Sequence, residues 1–176
     1  MKIPAPPCLL RPWRHSDLAS LVRCANNRNV WINLRNRMPF PYTEADGKAW
    51  IECASSENPL CNFAIEFEQH AIGSMGLCLQ NDIETGTAEI GYWLAEPFWG
   101  KGLATSCVKA FAQWAFAQFP LRKLYAGVMA NNHPSRRVLE KAGFKLEGIH
   151  RQHVIKAGTV QDQAFYGLLK TDSSAA

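Results

Sequence analysis

Cysteine pairing is missing from this sequence. Six cysteines are present, at positions 8, 24, 53, 61, 78 and 107, but none forms a CxxC pair and their spacings match no zinc template. Cys78 and Cys107 lie within apolar stretches, where a thiol behaves as a small core residue. The reading is of buried, reduced thiols in a cytosolic protein. Long apolar runs are missing too: no stretch approaches the length of a membrane span, and the opening MKIPAPPC lacks the apolar core of a signal peptide. A soluble, cytoplasmic protein is expected, with no membrane partner. There is no dense basic run either. Lys and Arg number 19 against 15 Asp and Glu, so the net charge of +4 is a mild bias. Nucleic acid is therefore not expected as a partner, whereas a small anionic ligand suits such a charge.

Repeats, linkers and low-complexity segments are also lacking. The 176 residues suffice for one domain with a real core and are short for two. We expect a single domain over residues 1–176, of which 171–176 form a frayed tail. A hydrophobic fraction of 47% and a charged fraction of 19% are ordinary for a globular chain.

Elements follow from pattern. CLLRPWR at 8–14 reads as a short first strand, with a proline that favours a sheet edge. Ser16 and Asp17 can cap a helix to about Asn26. Residues 31–36 fit one helical turn, and Thr43 with Asp46 forms a variant capping box opening a helix to about Ala54. NFAIEF, AIGSMGLCLQ and TAEIGYWL then make an antiparallel meander, with turns at Gln69-His70 and NDIETG. A helix from about Ala104 to Phe119 has Val108, Phe111, Ala112, Ala115 and Phe119 as its apolar stripe, and Pro120 stops it. RKLYAGVM is another strand, and Pro134 to Ala142 a helix with Gly143 past its end. A long hairpin turning at Ala157-Gly158 closes the chain. The fold class is α+β: a central mixed, mostly antiparallel sheet with helices on both faces.

One junction asks for more than a turn. Between TAEIGYWLAE and the helix stands PFWGKGLAT, residues 97–105, with two glycines around a lysine. A helix start after a glycine-rich turn offers unpaired N–H groups and the positive end of the helix dipole, which together bind phosphate. Gly100 and Gly102 remove the β-carbons that would hold an anion away. Lys101 adds charge, Ala104 keeps the first turn slim, and the Thr105 hydroxyl is a further donor. The P-loop pattern fails because Leu103 follows Gly102, and the dinucleotide GxGxxG fails because position 105 is threonine.

EIGYWLAEPFWGKGLAT, then a helix, a strand and NNHPSRRVLEKAGF, resembles the GCN5-related N-acetyltransferases (GNAT), and within them the RimJ/RimL type that acetylates ribosomal-protein N-termini. The resemblance runs from LLRPWRHSDL to the closing FYGLL. The family's Gln/Arg-x-x-Gly-x-Gly/Ala loop falls on Trp99, Gly100, Lys101, Gly102, Leu103 and Ala104, with Trp99 a departure from the usual Gln or Arg that is able to reshape the pocket lip. What the resemblance implies is acetyl-CoA as co-substrate, no metal, and direct transfer to a primary amine in a ternary complex. It implies a splayed cleft between the fourth and fifth strands, in which pantetheine pairs with strand backbone at Leu94 and its neighbours, with the diphosphate on the amides of residues 100–105.

The same resemblance assigns the remaining roles. Glu89 matches the position of the family's base carboxylate, in an otherwise small and apolar stretch that would raise its pKa. Asn132 and Ser135 match Asn-x-x-Ser. Asn132 is placed for the cofactor, the splayed strands or a helix cap, and Ser135 for orienting the thioester or relaying a proton. The tyrosine that many members use as acid falls on Leu139 here and is absent. Arg136 or Arg137, and of the two Arg137, would meet the 3′-phosphate of CoA. Trp31, Phe40, Tyr42, Trp93 and Tyr166 can wall the acceptor, with Asp162 able to hold an amine charge. Peptide N-termini, polyamines, aminoglycosides and amino acids all remain as acceptors, and a homodimer is open. The alternative is a non-catalytic acyl-CoA-binding sensor or scaffold of the same fold.

Overall fold

The computed structural model describes residues 1–173. Eight strands form one sheet: β1 (Ile3–Ala5), β2 (Cys8–Arg11), β3 (Asn62–Phe67), β4 (His70–Leu79), β5 (Thr87–Leu94), β6 (Lys123–Met129), β7 (Lys145–Lys156) and β8 (Thr159–Leu169). Among the described residues six α-helices accompany them: α1 (Leu18–Ala25), α2 (Arg28–Trp31), α3 (Glu44–Ser56), α4 (Leu103–Gln118), α5 (His133–Lys141) and α6 (Lys170–Ser173). The sheet runs β1-β2-β3-β4-β5-β6-β8-β7, antiparallel except for the β5–β6 pair. The α+β reading therefore holds.

Several differences from the sequence reading have local causes. β1 was not foreseen. Ile3 and Ala5 are buried while Pro4 is exposed, a period-2 pattern too short to stand out between prolines. The turn between β3 and β4 falls at Glu68-Gln69, both with positive φ, because Phe67 pairs with His70. The expected tail is partly ordered: residues 170–173 form α6, whose Asp172 meets Lys145 at 3.1 Å, while residues 174–176 lie outside the described residues. The foreseen strand at residues 8–14 ends at Arg11, and the first clear helix begins at Leu18.

Asp17 does not cap α1 as expected. Its carboxylate turns inward and accepts from both Arg11 Nη atoms, at 2.7 and 2.8 Å, and from the Arg14 amide at 2.9 Å. Glu66 of β3 accepts from Arg11 Nε. Arg11 is only 1% exposed, so this triad is a buried ionic clamp between β2, β3 and the start of α1. The Thr43–Asp46 box does form and opens α3 as read. A β-carbon on Gly47 would stand 2.7 Å from Leu18 Cδ1, so only glycine lets α3 press this closely on α1.

The sheet separates two cores. Val108, Phe111, Ala112 and Ala115 of α4 lie buried on one face with Ile90, Leu124, Leu139 and Tyr166, while Phe119 lies half-buried past the helix end. On the other face Leu21, Ile51, Ala54 and Tyr42 pack against Ala64 and Ala71, with Trp93 alongside. Cys8, Cys24 and Cys107 are buried, but Cys78 is exposed on β4, contrary to its apolar context in the sequence, and all six cysteines are free. Among the described residues no helix is long and apolar enough to cross a membrane.

Candidate active site

The foreseen cleft exists, between β5 and β6, which are the fourth and fifth strands once β1 is set aside. Pairing joins only Thr87 to Lys123, Ala88 to Leu124 and Glu89 to Tyr125. Beyond that point β5 stays with β4 as far as Leu94, and β6 stays with β8 as far as Met129. Each strand follows the twist of its remaining neighbour, so the two diverge and expose a free backbone edge.

At the open end lies the glycine loop. Gly100 and Gly102 adopt φ of +75° and +78°, in the left-handed region where other residues are strained, and a β-carbon on either would project into open space. Gly102 is the N-cap of α4 and offers no side chain, and none of the amides of residues 100–105 finds an acceptor among the described residues. Six donors at the positive end of a four-turn helix make a cradle that fits a diphosphate. Lys101 rests over the Phe98 ring, 5.4 Å from its centroid, at the rim. Trp99 does not close this cradle. Its indole N–H donates to the Leu94 carbonyl at 2.6 Å and staples the loop to the strand it leaves. The Leu94 carbonyl, expected to serve pantetheine, is thus already engaged, and Leu94 itself is buried.

On the α4 side of the cleft, Asn132 accepts from the Ser135 amide at 3.2 Å and so caps α5. Ser135 Oγ lies 2.9 Å from the Tyr92 hydroxyl, which also donates to the Ser135 carbonyl at 3.2 Å. Burial pushes the Tyr92 phenol up to about 12, against a smaller opposite effect of its bond to Ser135. The sequence reading passed over Tyr92. Its strand parity was the available signal, since even positions of β5 face α4 and α5 while odd ones face the other side. Arg136 is occupied by Tyr166 Oη at 3.0 Å and the Ala130 carbonyl at 3.0 Å. Arg137 is exposed, and its side chain makes no hydrogen bond or ion pair among the described residues.

Glu89 is on the opposite face, at the last paired position before the splay. The expected apolar setting is not found: Arg35, from the segment after α2, is ion-paired with its carboxylate. Arg35 is the second residue the sequence reading missed, because 54 residues separate the pair. Of the foreseen acceptor wall, Trp31 and Phe40 do stand together, ring centroids 5.4 Å apart. Tyr42 and Tyr166 are core residues instead, the latter bonded to Arg136 and to Glu140 at 2.7 Å. Asp162 is spent on the Gln152 amide at 2.8 Å. His150 lies tilted against Phe165, ring centroids 4.3 Å apart, and His153 meets the same ring edge-on at 5.9 Å. Among the described residues no group of three or more His, Cys, Asp or Glu side chains is gathered to hold a metal ion.

Comparison with known proteins bears on this arrangement. The family described as acetyltransferase (GNAT) domain matches residues 8–145. A probable N-acetyltransferase of Bacillus subtilis, YjcK, is 43% identical over 86 residues, 49% of this chain and 48% of that protein. The chain spans about half the length of the first curated relatives it matches. Among solved structures, RimJ of Mycobacterium smegmatis in complex with CoA-disulfide superposes with a TM-score of 0.84 at 23% identity, covering 97% of this chain and 86% of that one. A GNAT-family acetyltransferase from Bacillus anthracis gives 0.84 at 22% identity, covering 97% and 99%. At such identities these structures speak for the fold.

Proposed function

The chain belongs to the GNAT acetyltransferase family, and on that footing we propose that it is an N-acetyltransferase moving an acetyl group from acetyl-CoA to a primary amine by direct transfer. The observation that carries this reading is the glycine loop: six unpaired amides and Lys101 at a helix start, at the mouth of a cleft with a free strand edge. Bound acetyl-CoA would supply the activated thioester.

Each residue then has a task. The amides of Gly100, Lys101, Gly102, Leu103, Ala104 and Thr105, with the Thr105 hydroxyl, hold the diphosphate, while Trp99 and Leu94 fix the loop to β5. The free edge of β5 beyond Glu89 accepts the amide-bearing pantetheine arm as an added strand would. Asn132 sets the start of α5 and Arg137 meets the 3′-phosphate. A nitrogen–carbon bond forms as the carbon–sulfur bond breaks. Glu89 takes the proton the amine loses, directly or through one water. When the single Tyr92 proton goes to Ser135 Oγ rather than to the Ser135 carbonyl, the serine O–H is free to point into the cleft and pass a proton to the departing sulfur.

Thermal unfolding with acetyl-CoA, CoA and ATP tests the reading. A ligand at a hundred times its dissociation constant adds about 2.7 kcal/mol. Stabilisation by the two CoA species and none by ATP is expected, followed by thiol release in an amine panel. No shift with either CoA species overturns it.

A further inference from the structure

The hairpin β7–β8 ends in a buried cation that the chemistry above does not use. Lys156 is the last residue of β7 and is 1% exposed, yet its Nζ has no hydrogen-bond partner among the described residues. Only three buried side-chain polar atoms are left without partners among the described residues, and two of them, Lys156 Nζ and Gln161 Oε1, belong to this one hairpin tip. Native structures leave few such groups, and each calls for a physical explanation.

Position ties the tip to the acceptor side. Lys156 pairs with Thr159, so it shares a sheet face with Gln161 and Phe165, and through β6 that face continues to Tyr125 and Glu89. Lys156 Nζ lies 3.9 Å from the Trp31 ring centroid, and Asn36 donates to the Ile155 carbonyl at 3.3 Å. Arg35, one residue before Asn36, holds Glu89. A single short segment, residues 31–40, therefore spans from the carboxylate at the splay to the hairpin tip. The Trp31 face offsets part of the cost of burying the ammonium, but a ring offers no anionic oxygen to its three N–H donors. Burial without a counter-ion pulls the Lys156 ammonium below its ordinary value of 10.5.

We propose that Lys156 is the specificity residue of the acceptor site and takes the carboxylate of a small amino acid whose amine is acetylated. This rests on the acetyltransferase reading and narrows it: a carboxylate-bearing amine completes Lys156, whereas a polyamine brings further positive charge to a buried ammonium.

The test compares free α-amino acids with their carboxamides, and with spermidine, as acceptors for the wild type, Lys156→Met and Lys156→Arg. An ionic hydrogen bond of this kind corresponds to roughly 10- to 100-fold in kcat/KM. The wild type should favour the best amino acid over its carboxamide by that factor, Lys156→Met should collapse the ratio to near unity, and Lys156→Arg should restore part of it. Methionine fits the same apolar space beside Trp31, so a folded variant is expected. Titration of the same amino acids into the CoA-saturated protein reads carboxylate binding without turnover, so a protein inactive with every amine still answers the question. Equal use of acid and amide by the wild type, or a ratio unmoved in Lys156→Met, overturns the proposal while leaving the acetyltransferase reading intact. A preference for peptides bearing an acidic second residue over free amino acids overturns the small-acceptor assignment. Failure of CoA to bind at all sinks the parent reading instead.

Discussion

The Tyr92 hydroxyl and the Ser135 hydroxyl are 2.9 Å apart across the cleft, joining β5 to the first turn of α5. Because Tyr92 also reaches the Ser135 carbonyl, it fixes both the rotamer and the backbone of the serine. Ser135→Ala and Tyr92→Phe should each lower kcat by roughly 10- to 100-fold with CoA affinity retained, a part of the general-acid contribution. Residues acting as one unit are non-additive, so the double variant should be little worse than the poorer single one. Additive losses in steady-state kinetics would separate the two roles.

Glu89 and Arg35 make a different pair. Arg35 has 60% of its side chain exposed, so their ion pair adds only about 0–1 kcal/mol to stability. Arg35→Ala should leave the unfolding midpoint nearly unchanged, whereas Glu89→Gln should cost about 100-fold in kcat without loss of CoA binding. A protein that binds CoA equally well but shows no rate change in Glu89→Gln does not use this carboxylate as base.

The glycine loop should resist any side chain. At φ of +78°, Gly102→Ala adopts a left-handed conformation costing about 1–2 kcal/mol, and the new methyl group stands where the diphosphate approaches. Calorimetric titration of acetyl-CoA should show affinity weakened by roughly tenfold or more in this variant and in Gly100→Ala.

Stability rests on the buried clamp of β2. Asp17→Asn leaves the fully buried Arg11 with Glu66 as its only carboxylate, and a destabilisation of about 3–5 kcal/mol is expected. Denaturant unfolding should show a lower midpoint with the same slope.

Glu96 joins the two halves of the site. Its carboxylate accepts from Asn27 and Asn29 at 2.8 Å each, which holds the start of α2 against the turn that leads into the glycine loop. The Asn27 bond first, then that of Asn29, keeps its carboxyl below the ordinary 4.5. A carboxylate depressed in the folded state contributes stability that is present above its unfolded value and lost as pH falls through the folded one. Below about pH 4.5 the wild-type melting temperature should therefore fall more steeply than that of Glu96→Gln, and parallel curves would show that the contact is idle.

Much of this molecule was legible in one dimension. β3 (Asn62–Phe67) and β5 (Thr87–Leu94) appear where alternation placed them, and α4 begins and ends within a residue of its expected bounds. The glycine loop was readable because φ above zero and close approach leave glycine alone among residue types. Local rules failed where a side chain had a distant partner. Asp17 has the composition of a cap, yet Arg11 outbids the α1 amides for its carboxylate, since a charged, bidentate donor is worth more than a neutral one.

The sequence by itself determined the secondary elements and the anion cradle, because periodicity, caps and glycine conformations act within a few residues. Only the tertiary structure decided which groups meet across the cleft: Tyr92 with Ser135, Arg35 with Glu89, and Lys156 with Trp31 at the hairpin tip. Those contacts depend on strand parity across eight paired strands and on where two strands part, and sheet registry of that kind is set by the packing of the whole core.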